Sequence, residues 1–402
     1  MSRPVRARLY DTLAGAVGPL PLAVDESGTP FLRLYVCGVT PYDSGHMGHA
    51  FTFACFDVLV RHLESQGVRV CYVQNVTDVD DPLFERARRR GEDWKALAER
   101  EQDRLVASMD RLGWRRPDVM PRVSEEIPAI LSAVERLSEL GVAYQADALY
   151  FDASTYSGYG HLSRRSRRSM VRKLRDEALL GLVGKGHKAD ALDFPLWRAS
   201  EAGEPAWDSP FGPGRPGWHI ECSAMAMRYL GEQVEIHGGG RDLVFSHHES
   251  ERAQSESLTG CAPFAKTWMH TGMVRFQGRK MSKSLGNLVV TEEVLGGSPA
   301  AAVRLYLASH HYSRDWSFRW EGLAGARALA ARIRRLIGAD RGRPGPPPAR
   351  AAAPLVEQFR EALDDDLDTR GAVLVLRAAV RAREKAAAAW MLGVLAGDAS
   401  LA

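Results

Sequence analysis

Two separated groups of cationic side chains could bind a nucleoside triphosphate. His46 and His49 flank Gly48 in the segment HMGH, and Lys280 and Lys283 stand three apart in KMSKS. Glycine lets backbone and ligand approach closely, and a helix N-terminus favours phosphate through its dipole and free N–H groups. Lysine ammonium groups stabilise the charge that builds on a departing pyrophosphate. Either motif alone also fits a helix start or a charged turn, so the prediction rests on the pair.

Cysteine, histidine and glutamate residues in three further segments could bind a metal ion. Cys37 ends an apolar run, Cys222 lies in WHIECSAM, and His247 and Glu251 lie in SHHESE. His247 and Glu251 are four apart and share one face of a helix. Two thiolates, an imidazole and a carboxylate suit tetrahedral zinc. Because the cysteines form no CxxC pair, spacing alone leaves buried free cysteines and a surface histidine as the alternative.

The elements that must position these residues alternate between strand and helix. Residues 31–38 (FLRLYVCG) read as a buried strand, residues 46–64 as a helix and residues 68–76 (VRVCYVQNV) as a second strand. This order predicts a parallel α/β unit. In open α/β sheets ligands bind at the carboxyl ends of strands, which is where Cys37 stands.

Further elements follow on both sides of a more irregular region. We expect one long charged helix over 85–112, a second helix over 124–140, an irregular region over 144–197 with a Gly-rich turn at 181–186, a strand over 233–237, a helix over 246–258 and a strand over 268–276. Residues 300–336 and 355–395 have helical patterns, and the Gly/Pro run between them indicates a linker.

These patterns divide the chain into predicted units. They are the first half of an α/β domain (1–140), an insertion (141–205), the second half of that domain with the KMSKS loop (206–290), a helical connective region (291–338), a Pro/Gly linker (339–350) and a C-terminal helical bundle (351–402).

Composition excludes several classes of protein. The 402 residues are 45% hydrophobic and 26% charged, as in soluble globular proteins, and a net charge of +3 does not indicate a nucleic-acid binder. The five cysteines are odd in number and widely spread, which argues against a disulfide framework and favours a reducing cytoplasm. No apolar run reaches 18 residues, and glycines and prolines interrupt the stretch 13–24, so we expect neither a membrane span nor a signal peptide.

A HIGH-type tetrad after the first strand, followed by KMSKS after the last, resembles the signature of class I aminoacyl-tRNA synthetases. The chain is similar to their cysteine-activating branch, which includes cysteinyl-tRNA synthetases and the mycothiol-pathway ligases that join cysteine to glucosaminyl-inositol. The shared motifs are YVCG (35–38), HMGHA (46–50), NVTDVDD (75–81), GRPGWHIECSAM (214–225), GGGRDLVF (238–245) and KMSKSLGN (280–287). The resemblance covers about residues 8–335. It implies a class I synthetase catalytic domain of α/β Rossmann type with an insertion, followed by a helical C-terminal bundle.

The resemblance also implies roles for individual residues. It places one zinc ion on Cys37, Cys222 and His247, with Glu251 as fourth ligand in the synthetase pattern, and the substrate thiolate on this zinc. The other implied substrate-binding residues are Thr40, Thr77, Trp218 and His237 beside Cys37, with Gly239 and Asp242 on the adenosine side. The implied catalytic residues, acting on ATP with Mg²⁺, are His46, His49, Lys280 and Lys283. A zinc–thiolate bond separates cysteine from serine far better than a pocket that gains about 1–3 kcal/mol from small apolar differences.

The acceptor of the activated cysteine is less clearly indicated. CGVTPYD (37–43) and DDPLFERA (80–87) resemble the mycothiol ligases, because Val39, Pro41 and Pro82 depart from the usual synthetase pattern. In contrast, the residues His237 and Glu251 are more typical of the synthetases. The chain stops at 402, about where a synthetase adds its anticodon-binding domain, whose absence removes contacts to tRNA. We therefore expect a small-molecule amine acceptor, either an amino-sugar or another amine, with tRNA as the alternative.

Two further interpretations stay open. The Arg-rich segment 164–175 could contact the phosphates of tRNA or an anionic carrier, although we favour a solvated basic loop or helix. Synthetase relatives can also be non-catalytic, but such proteins usually lose the activation motifs, and both are present here. We therefore expect a cytoplasmic ligase, a monomer or homodimer, that uses ATP and L-cysteine and has no membrane partner.

Overall fold

The computed structural model describes residues 5–42, 45–179, 187–281, 286–338 and 353–401. Three of the predictions fall outside these described residues: the catalytic lysine Lys283, the Gly-rich turn at 181–186 and the Pro/Gly linker at 339–350.

The described residues form strands and helices in the following order along the chain. The strands are β1 (Arg8–Asp11), β2 (Ala16–Pro19), β3 (Ala23–Val24), β4 (Pro30–Val39), β5 (Arg69–Val76), β6 (Ala143–Gln145), β7 (Ala148–Phe151), β8 (Phe194–Ala199), β9 (Gly214–Pro216), β10 (Val234–Gly240), β11 (Ala265–Thr271), β12 (Val274–Phe276), β13 (Arg279–Lys280) and β14 (Trp316–Phe318). The helices are α1 (Met47–Glu64), α2 (Asp81–Arg90), α3 (Trp94–Arg111), α4 (Ile127–Glu139), α5 (Arg167–Leu179), α6 (Trp218–Leu230), α7 (Glu249–Thr259), α8 (Thr291–Gly296), α9 (Ala300–Ala308), α10 (Trp320–Ile337), α11 (Ala353–Asp364), α12 (Thr369–Arg381) and α13 (Lys385–Ala396).

A mostly parallel sheet forms the centre of the molecule. Strand β4 lies between β5 and β10, β11 pairs with the far side of β10, and these pairings are all parallel. The short β3 adds an antiparallel partner at the start of β4. Because β4 is covered on both faces, it is rich in buried apolar residues, as its sequence predicts. The carboxyl ends of β4, β5, β10 and β11 meet at one edge, and the predicted α/β class is confirmed.

The region between α4 and α6 is more regular than its sequence indicates. Strands β6, β7, β8 and β9 form an antiparallel sheet in chain order, and α5 lies between β7 and β8. The last strand, Gly214–Pro216, pairs with β8, so this second sheet continues past residue 205 and leads directly into α6.

Two elements that we predicted as continuous are interrupted. The single helix over 85–112 is wrong, because α2 ends at Gly91, which has a left-handed φ of 63°, and α3 begins again after the N-cap Asp93. The single strand over 268–276 is also wrong. Its backbone leaves the sheet at Gly272, whose N–H donates to the carbonyl of Tyr312 at 2.6 Å, and β12 then pairs with β14.

The C-terminal helices pack on α1, the helix that follows β4. Arg304 on α9 is fully buried, pairs with Asp57 on α1 and donates to the carbonyl of Leu395 on α13 at 2.8 Å. His62 on α1 lies 2.7 Å from Asp364 on α11. These buried polar contacts fix α1 against the helical region, since leaving either partner unpaired would be costly. Within the described residues, no helix combines the length and the apolar character needed to cross a bilayer.

Candidate active site

The predicted metal ligands come from four elements that meet at the edge of the central sheet. Cys37 lies near the end of β4, Cys222 lies on α6, His247 lies in the turn Val244–His248, and Glu251 lies in the first turn of α7. All four are buried, and one ligand atom of each lies within 4.8 Å of the others. The structure therefore brings together the four residues that the family resemblance implied as zinc ligands.

Short polar contacts connect the side chains of this cluster to one another. His247 Nε2 lies 3.0 Å from Glu251 Oε1, and Cys37 Sγ lies 3.5 Å from the same oxygen. An overlapping set, in which His237 and His248 replace Cys222 and His247, also lies within 4.8 Å. Because both sets use Cys37 and Glu251, they are two descriptions of one centre.

The charges of the cluster are compatible with one zinc ion. Burial raises the pKa of Glu251 well above its usual value, and burial also lowers the pKa of His247 well below its usual value. Among the described residues, no lysine or arginine pairs with Glu251, and the nearest nitrogen recorded for its Oε2 atom is His237 Nε2 at 3.2 Å. A buried carboxylate beside two thiols and neutral imidazoles lacks a cation, and this donor set fits Zn²⁺.

Histidines that the sequence analysis did not single out hold the cluster in place. His219 Nδ1 lies 3.0 Å from His247 Nδ1, so the Nε2 atom of His247 faces Glu251. Metal-binding histidines are usually oriented in this way through their second nitrogen. The sequence could have suggested His219, because it follows Trp218 in WHIEC. Its contact with His247 is seen only in the packed structure.

A second chain of hydrogen bonds reaches the cluster from the opposite side. Thr12 Oγ1 lies 2.7 Å from His270 Nδ1, and His270 Nε2 lies 2.7 Å from His248 Nδ1. His248 Nε2 lies 3.3 Å from the Sγ atom of Cys37. These residues come from distant parts of the chain, so spacing could not have associated them.

The predicted amino-acid pocket lies next to the cluster. Trp218 stacks on His247 with ring centroids 4.1 Å apart and is still 40% exposed, so one face can meet a ligand. Thr77 follows β5, and its hydroxyl accepts from Asn75 Nδ2 at 3.0 Å. His237 on β10 lies 3.6 Å from Cys37 Sγ. These three predicted residues therefore converge on the same edge of the sheet.

The predicted nucleotide residues lie at the start of α1. The rings of His46 and His49 stack with centroids 3.9 Å apart, and His46 Nδ1 accepts from the N–H of Gly48 at 3.0 Å. His46 is the N-cap of α1, which places both rings beside the free N–H groups of the helix. This arrangement is suited to binding phosphate.

The remaining predicted residues come from β10 and from the strand before the KMSKS loop. A Cβ atom at Gly239 would lie 2.8 Å from Leu243 Cδ1 and 3.2 Å from the His248 ring, so glycine lets the backbone approach these side chains closely. Lys280 Nζ lies 3.3 Å from Asp242 Oδ2, and both side chains are exposed. The structure thus joins the second nucleotide motif to the predicted adenosine side.

A further polar pair joins the ends of β4 and β5. Thr40 donates to Asp80 Oδ2 at 2.7 Å, and burial raises the pKa of Asp80 to about 6. The nearby Glu221 is fully buried, and neither of its carboxylate oxygens has a hydrogen-bond partner. The sequence analysis named Thr40 but missed both carboxylates, which lie inside the shared motifs NVTDVDD and WHIECSAM.

Several residues of the Arg-rich segment make contacts within the chain. Arg164 donates to the carbonyl of Thr12 at 3.0 Å, Arg167 pairs with Asp190, and Lys173 donates to the carbonyl of Phe245. Of these contacts, that of Lys173 joins α5 to the turn that carries His247, so part of the segment's charge has a structural role.

Comparison with known proteins agrees with this geometry. The family model for the tRNA synthetases class I (C) catalytic domain matches residues 24–328. The chain belongs to this family. The predicted catalytic fold and the predicted resemblance are therefore confirmed, and the chain is an enzyme of the ligase type.

The curated relatives fall into two groups. The cysteine–tRNA ligase of Anaeromyxobacter sp. (strain K) is 46% identical over 345 residues, which cover 84% of this chain and 70% of that protein. The L-cysteine:1D-myo-inositol 2-amino-2-deoxy-alpha-D-glucopyranoside ligase of Thermomonospora curvata is 43% identical over 370 residues, covering 92% and 86%. The protein of the same name from Frankia casuarinae is 45% identical over 377 residues, covering 93% and 78%.

Solved structures confirm the fold. Methionyl-tRNA synthetase of Mycobacterium tuberculosis, in complex with methionyl-adenylate, superposes with a TM-score of 0.64 at 16% identity, covering 91% of this chain and 88% of that chain. This likeness extends to the overall architecture and carries no information on the substrate of the present chain.

Proposed function

We propose that this enzyme uses ATP to form cysteinyl-adenylate and then transfers the cysteinyl group to a small-molecule amine. The names of both groups of relatives include cysteine, so the proposed activation of cysteine does not depend on which acceptor is correct. In the first step a carboxylate oxygen of cysteine attacks the α-phosphorus and pyrophosphate leaves. In the second step the amine nitrogen attacks the carbonyl carbon, AMP leaves and the nitrogen loses a proton.

The buried cluster supports cysteine as the amino acid. Cys37, Cys222, His247 and Glu251 would hold a zinc ion, which supplies a Lewis-acid position for a thiolate when it is bound. His219 orients His247, and Trp218 covers one side of that ring, so the pocket is preformed. Serine and alanine lack a thiolate, and a preformed site would reject them without an editing reaction.

The nucleotide residues support activation by ATP. His46 and His49 would contact the triphosphate at the start of α1, and Gly239 and Asp242 would hold the adenosine side. Lys280 would leave its contact with Asp242 to stabilise the departing pyrophosphate, together with Lys283. Little acid–base chemistry is needed in this step, since positioning and charge stabilisation account for most of it.

One observation carries the choice of an amine acceptor. Of the residues that follow the mycothiol-ligase pattern, Val39 and Pro41 flank Thr40 and Pro82 lies two residues after Asp80, around the Thr40–Asp80 hydrogen bond at the ends of β4 and β5. The residues that follow the synthetase pattern instead lie in the metal cluster. The departures from the synthetase pattern therefore gather around the Thr40–Asp80 pair, which we propose lies on the acceptor side.

Asp80 has properties suited to binding and deprotonating an amine. Its pKa of about 6 leaves it ionised at neutral pH, so it can pair with an ammonium group and accept the proton that the attacking nitrogen loses. A tRNA hydroxyl carries no such positive charge. The amino-sugar glucosaminyl-inositol is the acceptor that the named relatives favour.

A tRNA acceptor is the second candidate. It is favoured by Glu251 and His237, which are typical of the synthetases, and by 46% identity to a cysteine–tRNA ligase. We also propose that the enzyme is cytoplasmic, because all five cysteines are free, which suits a reducing compartment. We propose that it acts as a monomer or homodimer.

The test is steady-state AMP release by zinc-loaded protein with ATP and cysteine, with either glucosaminyl-inositol or total tRNA added. Stimulation by the amino-sugar, with cysteinyl amide as product, is expected. Stimulation by tRNA alone, with cysteine attached to it, would replace the amine acceptor by tRNA and leave cysteine activation intact.

The role of Asp80 has its own prediction. Asp80→Asn should slow transfer to the amine about 10²-fold or more, while cysteine-dependent ATP–pyrophosphate exchange changes little. The exposed Asp103→Asn on α3 is the control and should leave both rates unchanged. In the native enzyme, transfer should rise as pH increases through about 6, because Asp80 then loses its proton.

Stability gives an independent readout for the same variant. Because the pKa of Asp80 is raised from 3.8, the folded protein binds this proton more tightly, so its contribution to stability is lost as pH rises from about 4 to 6. Thermal melting at pH 7 should therefore show Asp80→Asn to be at least as stable as the native protein. A large destabilisation combined with slow pyrophosphate exchange would show a structural role instead.

A further inference from the structure

An arginine-lined cleft lies in the helical region between α10 and α12. It has a volume of about 720 Å³, and small-molecule sites are typically about 300–1,000 Å³. Five arginines line it: Arg332, Arg335, Arg377, Arg381 and Arg383. Its other lining residues are small or apolar, and none of them is acidic. The cleft shares no residue with the cysteine-activating site, so its function is a separate question.

Among the described residues, these arginines have no ion-pair partner, unlike several arginines elsewhere in the protein. On α2 and α3, Arg89 pairs with Glu85, and Arg104 pairs with Glu101 at 3.1 Å. Within the described parts of the chain, none of the five cleft arginines forms an ion pair or donates a side-chain hydrogen bond. Like charges that share a cleft without a counter-ion repel one another, and the repulsion is relieved by a bound anion.

The spacing of the arginines favours an anion with several charges. Arg332 and Arg335 are three apart on α10, and Arg377 and Arg381 are four apart on α12. Residues at these spacings are neighbours on one helix face, about 5–6 Å apart at Cβ. The cleft therefore has two short rows of guanidinium groups, one on each wall, while a single carboxylate could satisfy only one of them.

We propose that this cleft binds a ligand that carries two or more adjacent phosphate groups. Guanidinium groups bind phosphate oxygens in a bidentate manner, and the absence of lysine from the lining agrees with that geometry. The buried side chain of Leu329 gives the floor an apolar surface that suits the non-phosphate part of such a ligand. Two sources share this chemistry: a small polyphosphate and the backbone of an RNA.

Binding to the full-length protein tests the proposal with both sources. The first probe is inorganic tripolyphosphate, followed by calorimetry, and the second is a fluorescent single-stranded RNA of about 12 nucleotides, followed by anisotropy. The variant is Arg377→Glu combined with Arg381→Glu. The matched control is Arg370→Glu combined with Arg334→Glu, which changes exposed arginines of the same two helices that do not line the cleft.

The proposal predicts that the cleft variant weakens binding of at least one probe about tenfold or more, while the control pair changes it less than about threefold. If RNA is the ligand, the slope of log K against log salt should also fall by about two. Loss confined to tripolyphosphate would identify a small polyphosphate as the source. Equal binding of both probes by the native, variant and control proteins would overturn the proposal.

Two readouts keep this test separate from the proposed function. The cleft variant should keep its native melting temperature and its cysteine-dependent ATP–pyrophosphate exchange, because its residues touch neither the metal cluster nor the nucleotide motifs. An enzyme that fails to activate cysteine but shows cleft-dependent phosphate binding would disprove the proposed function alone.

Discussion

The amino-acid side and the nucleotide side of the candidate site differ in their exposure to water. On the amino-acid side, Cys37 is 4% exposed, Cys222 is 1% exposed and Glu251 is fully buried. On the nucleotide side, the side chains of Lys280 and Asp242 are 61% and 48% exposed. One side is therefore a desolvated cluster inside the protein, and the other is a solvated surface that its ligand must complete.

This difference reflects what each side has to recognise. Cysteine is small, so selectivity requires fixed groups that cannot relax to accept serine. ATP brings its own charge, and an exposed ion pair contributes only about 0–1 kcal/mol, so Lys280 can exchange Asp242 for phosphate at little cost. We therefore expect the affinity for cysteine to be sensitive to the replacement of single ligand atoms. We expect ATP binding and adenylate formation to be sensitive to the removal of charge and to the salt concentration.

The largest effect is expected from removing a thiolate from the buried side. Cys222→Ser should reduce cysteine-dependent ATP–pyrophosphate exchange at least about a thousandfold, because a hydroxyl is a poor ligand for zinc in place of a thiolate. Zinc content, measured by elemental analysis, should fall in parallel. Cys261→Ser, at a half-buried cysteine outside the cluster, is the control. Full activity in Cys222→Ser would disprove the metal assignment.

Removing one cation from the exposed side should have a smaller and different effect. Lys280→Gln should slow adenylate formation about 10²–10³-fold, because a group that stabilises the departing pyrophosphate is lost. Zinc content and the Kd for cysteine should stay unchanged, which single-turnover kinetics and calorimetry can measure. Arg279→Gln, at the exposed neighbouring residue of β13, should have little effect on any of these quantities. Equal losses in both variants would indicate a general charge effect.

On the buried side, removing the histidine that orients His247 should have a moderate effect. His219→Ala removes the group that lies 3.0 Å from His247 Nδ1, so zinc affinity should fall about 10–100-fold in competition with a chelator. His187→Ala removes a histidine whose side chain is 91% exposed and is the control. Unchanged zinc affinity in His219→Ala would mean that the packing of α6 and α7 alone orients His247.

The smallest effect should come from salt. Raising KCl from about 50 mM to about 500 mM should increase the KM for ATP several-fold, because screening acts on exposed charges. The KM for cysteine should change less than about twofold over the same range, since the cluster is buried. Steady-state pyrophosphate exchange gives both constants, and equal changes in the two would contradict the contrast between the sides.

The sequence predicted the central fold for simple physical reasons, whereas the full ligand set depended on the family resemblance. Strand β4 and helix α1 follow clear periodic patterns. The i, i+4 spacing of His247 and Glu251 predicted that their side chains are neighbours, and they lie 3.0 Å apart, although His247 belongs to the turn that precedes α7. Cys37 and Cys222 were associated only through the family resemblance, because 185 residues separate them along the chain (222 − 37).

Other features depend on contacts between distant segments. The link from Thr12 through His270 to His248 joins the start of the chain to two elements around α7, and no local pattern encodes it. The break between α2 and α3 could have been predicted, since Gly91 is followed by the N-cap residue Asp93. The charged pattern continues across it, and we read that continuity as one helix.

Cobalt(II) substitution with titration by cysteine tests the central claim most directly. The claim is that the buried cluster of Cys37, Cys222, His247 and Glu251 holds a metal ion that receives the substrate sulfur. We predict thiolate-to-cobalt charge-transfer absorption from the protein cysteines, which increases in a saturable manner with added cysteine and does not change with serine. Absorption that is absent, or that responds equally to both amino acids, would contradict the claim.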